Sequence, residues 1–476
     1  MLSSRVYTHG KETMICRILV ALLSFLLIQA CSDSSDSPDS SDQRPTQMSP
    51  ASLTVVPIAA PEGAPGEMRS LVFRVTMTEP QASAVELSYW TSAGSATADE
   101  DYLEIAGELS IAAGEIESVV SVDMIGDAEE EAAETFTLNI STSDNALATA
   151  TKITGTIAND DTACDTPFAK SPNPWLVNGA DPLNFAHRGG VIDFPENTLY
   201  AYAEAALAGA DVLEMDVYQT RDNQLVVLHD LSVDRTTNGA GDVANLTLAE
   251  LKLLDAAYWF VPGVGTPRDR PVEDYVFRGI ATGDKPPPPG YSAADFRIPT
   301  LEQALARFPH NLINLELKPD LDGIGNYEEQ MAVLLQRYGR YTDLIAGSFV
   351  DEATDNFKAV APCVYSYLPL GLGLEIFALF LATGEIPDVP EHITAQVPPD
   401  ASQIGDQIPG DDPIPIVSPE LVAAAHNANT AVQVWTINTC EEMLRMIDIG
   451  VDGIMTDRPL LLESLLAQPA GERTCE

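Results

Sequence analysis

The sequence predicts an α/β fold: a parallel (β/α)8 barrel over residues 183–468, preceded by a small antiparallel β-sandwich over residues 51–161. Two patterns carry that expectation. In the C-terminal part, short apolar runs alternate with stretches of helical periodicity. In the earlier part, apolar and polar residues alternate one by one between turn signals. A chain of 476 residues, 45% of them hydrophobic, is long and apolar enough for two packed cores. Its 71 acidic and 25 basic residues give a formal charge of −46. That charge argues against a nucleic-acid binder, because neutralising phosphates takes a surplus of Lys and Arg. It argues equally against electrostatic docking on anionic lipid headgroups. Six cysteines are too sparse for a disulfide scaffold.

Residues 1–31 read as a targeting segment. Ile18 to Ile28 form an apolar run of 11 residues preceded by Arg5, Lys11 and Arg17. The run is too short to span a bilayer and suits the apolar part of an export signal. It ends in Leu27-Ile28-Gln29-Ala30-Cys31, which resembles a bacterial lipobox. The resemblance implies cleavage before Cys31, a lipid on Cys31 and, with Ser32 following, the outer membrane (periplasmic or cell surface). An ordinary cleaved signal with an incidental Cys31 is the alternative. Residues 32–50 hold seven Ser and four Asp and read as a solvated tether. The mature chain would carry 22 basic and 70 acidic residues, a charge of −48.

The sandwich is predicted from runs such as Leu71 to Met77, Ala84 to Tyr89, Val119 to Ile125 and Phe136 to Ile140. Four blocks, Ser95 to Tyr102, Gly107 to Glu115, Gly126 to Phe136 and Ile157 to Asp161, resemble a Calx-β domain. The resemblance implies Ca²⁺ binding at one end of the sandwich, with Glu62, Asp101, Asp127, Glu134 and Asp161 at the matching positions. Clustered carboxylates repel one another unless a cation joins them. The alternative is a spacer whose acids face water.

Residues 162–182 are a Pro/Asn-rich linker. Eight strands are then expected: Leu183 to Ala186, Val212 to Val217, Leu225 to Leu228, Leu312 to Leu317, Leu344 to Phe349, Val364 to Tyr367, Val432 to Ile437 and Val451 to Met455. Insertions are expected at about 255–297 and 368–418. The strand ends carry the chemistry. His187-Arg188 end the first strand, Glu214 and Asp216 lie on the second, His229 ends the third, Glu316 and Lys318 lie on the fourth, and Trp435 ends the seventh. The strand ends of such a barrel form its active-site face. The i, i+2 pairs point to one side of their strands. Three carboxylates make a hard-oxygen site for Ca²⁺ or Mg²⁺, two histidines suit proton transfer, and Arg with Lys suits a phosphate. That combination points to metal-assisted cleavage of a phosphodiester.

The blocks Ala186 to Gly190, Pro195 to Thr198, Gly209 to Val217, Thr220 to Asp222, His229-Asp230, Arg235 to Gly239, Ile298 to Leu301, Leu315 to Lys318, Val434 to Asn438 and Asp452 to Asp457 strongly resemble the glycerophosphodiester phosphodiesterase family, a TIM-barrel family. The resemblance implies hydrolysis of a glycerophosphodiester to glycerol 3-phosphate and an alcohol. By position it implies His187 and His229 as the acid/base pair, Glu214, Asp216 and Glu316 as ligands of one divalent cation, Arg188 and Lys318 on the phosphate, Trp435 on the substrate, and Glu196 and Asn197 as supports. Two alternatives stand: lysophospholipids as substrates, or an inactive barrel serving as a surface binding or adhesion protein. The partner of the Calx-β domain is unassigned. The 255–297 insertion is expected to wall the substrate alcohol. Within 368–418, Leu370 to Ala382 is apolar nearly all round, and reads as a helix packed on the barrel or a lid against lipid tails. Cys164 and Cys475 are both expected at the barrel bottom, close enough to pair, with Cys363 and Cys440 too far apart. His310, His392 and His426 read as surface or structural residues, and Met331, Met443 and Met446 as core.

Overall fold

Side-chain alternation decides the first domain. In the computed structural model, residues 53–475 are described, apart from 56–57, 64–65, 67, 78–79, 128–132, 143–150, 159–163, 165–172, 178, 319–326 and 401–414. The signal segment, the tether and Asp161 therefore lie outside the described residues, as do parts of the linker and of the second insertion. Strands β1 (Leu53–Val55), β3 (Met68–Met77) and β6 (Glu117–Ile125) form one sheet. Strands β2 (Ile58–Pro61), β8 (Thr151–Ala158), β7 (Glu134–Thr142), β4 (Val85–Ala93) and β5 (Ala106–Ile111) form the other, in that order. Leu71, Phe73, Val122, Phe136, Leu138 and Ile140 fill the space between them, and Tyr102 stacks on Phe136 at 4.5 Å. This is the expected sandwich, with inward side chains apolar and most outward ones polar.

The second domain is a ring of parallel strands. Its sheet order is β13 (Leu344–Gly347), β12 (Leu312–Leu317), β10 (Val212–Gln219), β9 (Leu183–Ala186), β16 (Gly453–Thr456), β15 (Ala431–Val434) and β14 (Thr394–Val397). Parallel bridges from Tyr365 to Ile345 and from Tyr367 to Thr394 link the two ends through Val364 to Tyr367. Helices α1 (Leu199–Ala208), α2 (Leu301–Arg307), α3 (Tyr327–Arg337), α4 (Asp351–Val360), α5 (Leu370–Thr383), α6 (Pro419–Asn427), α7 (Cys440–Ile449) and α8 (Pro459–Leu466) lie along the connections. Thr198, Ser418 and Thr439 cap three of these helices through their side chains. Ala59 and Ala158 of the sandwich join the apolar cluster of the barrel.

The expected barrel strands are corrected at two points. Leu225–Val227 (β11) pairs antiparallel with β10 and is not a stave of the barrel. Only Thr220 to Gln224 separate the two strands, and a parallel return needs a crossover of a dozen residues or more. The hairpin turns at Thr220-Asn223, where Asn223 takes φ 58°. The missing stave is β14, inside what reads from the sequence as one long insertion at 368–418.

The cysteine pairing is corrected as well. Cys164 bonds Cys363, with Cα atoms 5.2 Å apart, and Cys440 bonds Cys475 at 5.7 Å. Cys363 does start a bottom segment, so it meets Cys164 there. The expected partner, Cys475, lies on a tail that doubles back after α8. Gln468 and Thr474 bond each other across that turn, and Arg473 donates to the Leu465 carbonyl. The tail thereby brings Cys475 to the first residue of α7. His392 is buried against Ser366, His426 pairs with Asp452, and Met331, Met443 and Met446 are core.

Peptide mapping under non-reducing conditions is expected to recover these two pairs. The bridges close spans of 199 and 35 residues. Chain entropy then makes the Cys164–Cys363 bridge worth about 1.5 kcal/mol more than the other. Replacing each pair by serines and comparing unfolding free energies tests this, and equal losses would exclude loop closure as the source.

Candidate active site

The register of two neighbouring strands builds the centre of the site. In β10 and β12, Asp216 lies opposite Glu316, and Glu214 opposite Asn314. Each of Glu214, Asp216 and Glu316 offers an oxygen, and these oxygens lie within 4.8 Å of one another. Glu214 and Asp216 are buried and Glu316 is partly exposed. Burial pushes the Glu214 carboxyl well above its ordinary range, and Asp216 beside it adds to the rise. Burial acts on Asp216 in the same sense, but Lys318 and Arg188 outweigh it and hold that carboxyl down. Lys318 Nζ lies 3.1 Å from Asp216 and 2.5 Å from Glu316.

The loop after β9 supplies the second cation. Arg188 takes φ 53°, its backbone N–H donates to Glu214 at 2.8 Å, and its Nε lies 3.4 Å from Asp216. Gly189 and Gly190 follow with φ of 84° and 99°. A Cβ on Gly189 would sit 2.8 Å from Ala201 Cβ, and one on Gly190 2.8 Å from Pro459 Cγ. Both positions therefore require glycine for space and for backbone conformation.

Each histidine is oriented through Nδ1. His187 Nδ1 lies 2.6 Å from Asp457, which Asn438 holds in turn at 2.6 Å. His229 Nδ1 lies 2.8 Å from Asp230. Leu228 N–H bonds the Asp216 carbonyl, so the antiparallel arm itself returns His229 to the mouth. Burial and the neighbouring Arg188 lower the pKa of His187, and the Asp457 bond only partly opposes them. Arg235 joins the parts: it bonds Asp230 through Nε at 2.6 Å and Glu196 through both terminal nitrogens at 2.6 and 2.8 Å. Asn197 donates to Asp216 at 3.3 Å and accepts from Tyr202 at 2.6 Å.

A cavity of about 250 Å³ opens over these groups. His187, Arg188, Glu214, His229, Glu316, Lys318 and Trp435 all line it, while Asp216, Glu196 and Asn197 are buried behind. Among the described residues Trp435 Nε1 is buried without a partner, and Phe349 meets the Trp435 ring edge-on at 5.4 Å. The 255–297 insertion, expected to wall the substrate, contributes no lining residue here. It packs Phe277, Tyr291 and Phe296 on Tyr200 instead. In the sandwich, Glu62, Asp127 and Glu134 lie at one end, by the strand registers. Asp101 accepts from the Thr97 N–H at 2.6 Å. Among the described residues, the group of three close carboxylates is the one in the barrel.

Asp230, Arg235, Asn438 and Asp457 stand in the sequence blocks but carry no role on sequence grounds. Phe349 and Gln396, also on the cavity wall, have no sequence signal.

Arg235→Met is expected to cost about 2–3 kcal/mol of stability, since it strips a buried Glu196 of its fork while Arg235 itself is partly exposed. Adding Glu196→Gln should recover part of that loss. Chemical denaturation of both single variants and the double variant checks this, and additive losses would mean the pair is uncoupled.

Residues 187–370 and 376–461 match the glycerophosphoryl diester phosphodiesterase family, and residues 64–162 match the Calx-beta domain. A glycerophosphodiester phosphodiesterase of Caldanaerobacter subterraneus subsp. tengcongensis is 32% identical over 287 residues, covering 60% of this chain and 97% of its own. One from Bacillus altitudinis is 28% identical over 278 residues, 58% of this chain and 94% of that one. A lysophospholipase D of Rattus norvegicus is 25% identical over 304 residues, 60% of this chain and 85% of that one. With the family matched over more than half of its length, the chain is an enzyme of the glycerophosphoryl diester phosphodiesterase family carrying an N-terminal Calx-beta domain.

Proposed function

We propose that the barrel hydrolyses glycerophosphodiesters to glycerol 3-phosphate and an alcohol, with two histidines as acid and base beside one divalent cation, Ca²⁺ or Mg²⁺. The observation that carries this is one cavity lying over three close carboxylates and lined by two carboxylate-oriented histidines and two fixed cations. Three hard oxygens, one on a carboxyl whose pKa is raised by burial and by Asp216 beside it, fit such an ion. Glu214, Asp216 and Glu316 would hold it, and when bound it would polarise a phosphoryl oxygen.

The chain's own residues do the rest. Arg188 and Lys318 bind the phosphate. His187, kept neutral by its surroundings, takes the proton of the substrate's glycerol 2-hydroxyl as that oxygen attacks phosphorus. His229 protonates the departing alkoxide. Water then opens the cyclic phosphate with the two histidines in exchanged roles. Asp457 and Asp230 fix each ring so that Nε2 carries the traffic. The presence of all these groups speaks against an inactive barrel.

We propose further that Cys31 carries a lipid anchor holding an exported chain at the outer membrane. Two disulfides support an oxidising compartment. Ca²⁺ binding by Glu62, Asp101, Asp127, Glu134 and Asp161 is proposed on the Calx-β resemblance.

Glycerol 3-phosphate release from glycerophosphocholine is expected with Ca²⁺ or Mg²⁺ and lost in EDTA. His229→Ala and His187→Ala should each lower kcat at least about 100-fold. Release unaffected by EDTA would overturn the metal reading.

The pH profile tests the assignment of the base. Activity needs neutral His187, whose pKa lies below the ordinary 6.5. The acid limb of kcat/KM should therefore fall below that value. Asp457→Asn removes a group that raises this pKa, so the limb should move to still lower pH. A limb that moves up would place the base elsewhere.

A further inference from the structure

An apolar groove of about 340 Å³ adjoins the catalytic cavity. Phe349, Gln396 and Trp435 line both spaces, so one wall separates polar from apolar chemistry. Helix α5 forms one side of the groove with Leu370, Gly373, Leu374 and Phe377. Ile416, Leu421 and Val432 form the other. The sequence of α5, LGLGLEIFALFLAT, is apolar on nearly every face, yet only Ile376 is buried. A helix serving only to cover the barrel would bury more of itself. The family match also breaks at residues 371–375, inside this helix. At Gly373 an added Cβ would meet nothing within 4 Å, which leaves that stretch of the groove open.

We propose that the groove holds the acyl chain of a monoacyl glycerophosphodiester, a lysophospholipid, while its phosphate lies at the carboxylate cluster. This rests on the proposed phosphodiesterase chemistry. Three features select that occupant. The groove meets the reaction cavity at Phe349 and Trp435, where a tail joined to a glycerol must leave it. Its volume is at the lower end for ligand pockets and fits one chain rather than two. A monoacyl lipid acylated on the terminal glycerol carbon also keeps the free 2-hydroxyl that the attack requires.

The test uses the full chain and monomeric substrates. Glycerophosphocholine is compared with 1-acyl lysophosphatidylcholines of 4 to 10 carbons (a chosen series, in steps of about two carbons), all below their micelle concentrations. Each buried methylene should raise kcat/KM by up to about fourfold until the groove is filled. Gly373→Trp should fill the groove, because the position has room for a side chain and sits in a helix that tolerates one better than glycine. The variant should flatten the series and leave glycerophosphocholine turnover within about twofold. A flat series in the unaltered chain that still cleaves glycerophosphocholine overturns the proposal; residues 401–414 or a second copy would then be the groove's occupant. A series unchanged by Gly373→Trp, or equal loss on every substrate, also overturns it. Cleavage of no substrate at all would sink the proposed function instead. Calorimetric binding of dodecylphosphocholine with Ca²⁺ then decides the groove alone: binding that Gly373→Trp abolishes supports it, and no binding rejects it.

Discussion

Three carboxylates within 4.8 Å of one another set the constraint on which the barrel mouth depends. At an effective dielectric of about 20, each pair of charges at that spacing costs at least about 3 kcal/mol. Nothing apolar could hold them so. Arg188 and Lys318 meet that cost directly, and the demands pass outward from there. Arg188 reaches Asp216 only from a left-handed backbone, which needs two glycines packed against α1 and α8. Glu196, buried and facing Arg188, needs Arg235, and Arg235 in turn fixes the Asp230 that aims His229. A substitution several residues from the carboxylates is therefore felt at the histidines.

The charge count at the mouth also explains why two histidines sit there. Glu214, Asp216, Glu316, Glu196, Asp230 and Asp457 face only Arg188, Arg235 and Lys318. That leaves the set three positive charges short. On the proposed reading, one divalent cation and one positive charge on the histidine pair would restore neutrality. Burial and Arg188 favour the neutral form of His187.

Much of this was legible because charged residues at the ends of apolar runs stand out. His187, Glu214, Asp216, His229 and Glu316 are read from strand ends alone, and they do converge. What the sequence hides has physical causes. Thr394-Ala-Gln-Val is too short and too polar to read as a buried strand, so β14 passes for loop. The third strand reads as apolar but its direction depends on a five-residue connection, not on its own pattern. Asp457 lies 270 residues from His187, and no local spacing joins them. The cysteine pairing turns on a tail that reverses after a helix of eight residues, which periodicity does not report.

The two insertions differ in what each has to bury. The segment 255–297 carries aromatic residues that find a complete home against Tyr200, so it closes on itself and leaves the cavity alone. Among the described residues, helix α5 finds no such home; its apolar faces stay half-covered beside the reaction cavity. An acidic chain has no electrostatic route to an anionic bilayer, because like charges repel until salt screens them within about 8 Å. On the proposed reading, a tether at Cys31 supplies proximity and the groove supplies affinity for a single chain. The same imbalance then accounts for both halves of the site on that reading: polar groups that a cation would balance, beside apolar groups that a tail would cover.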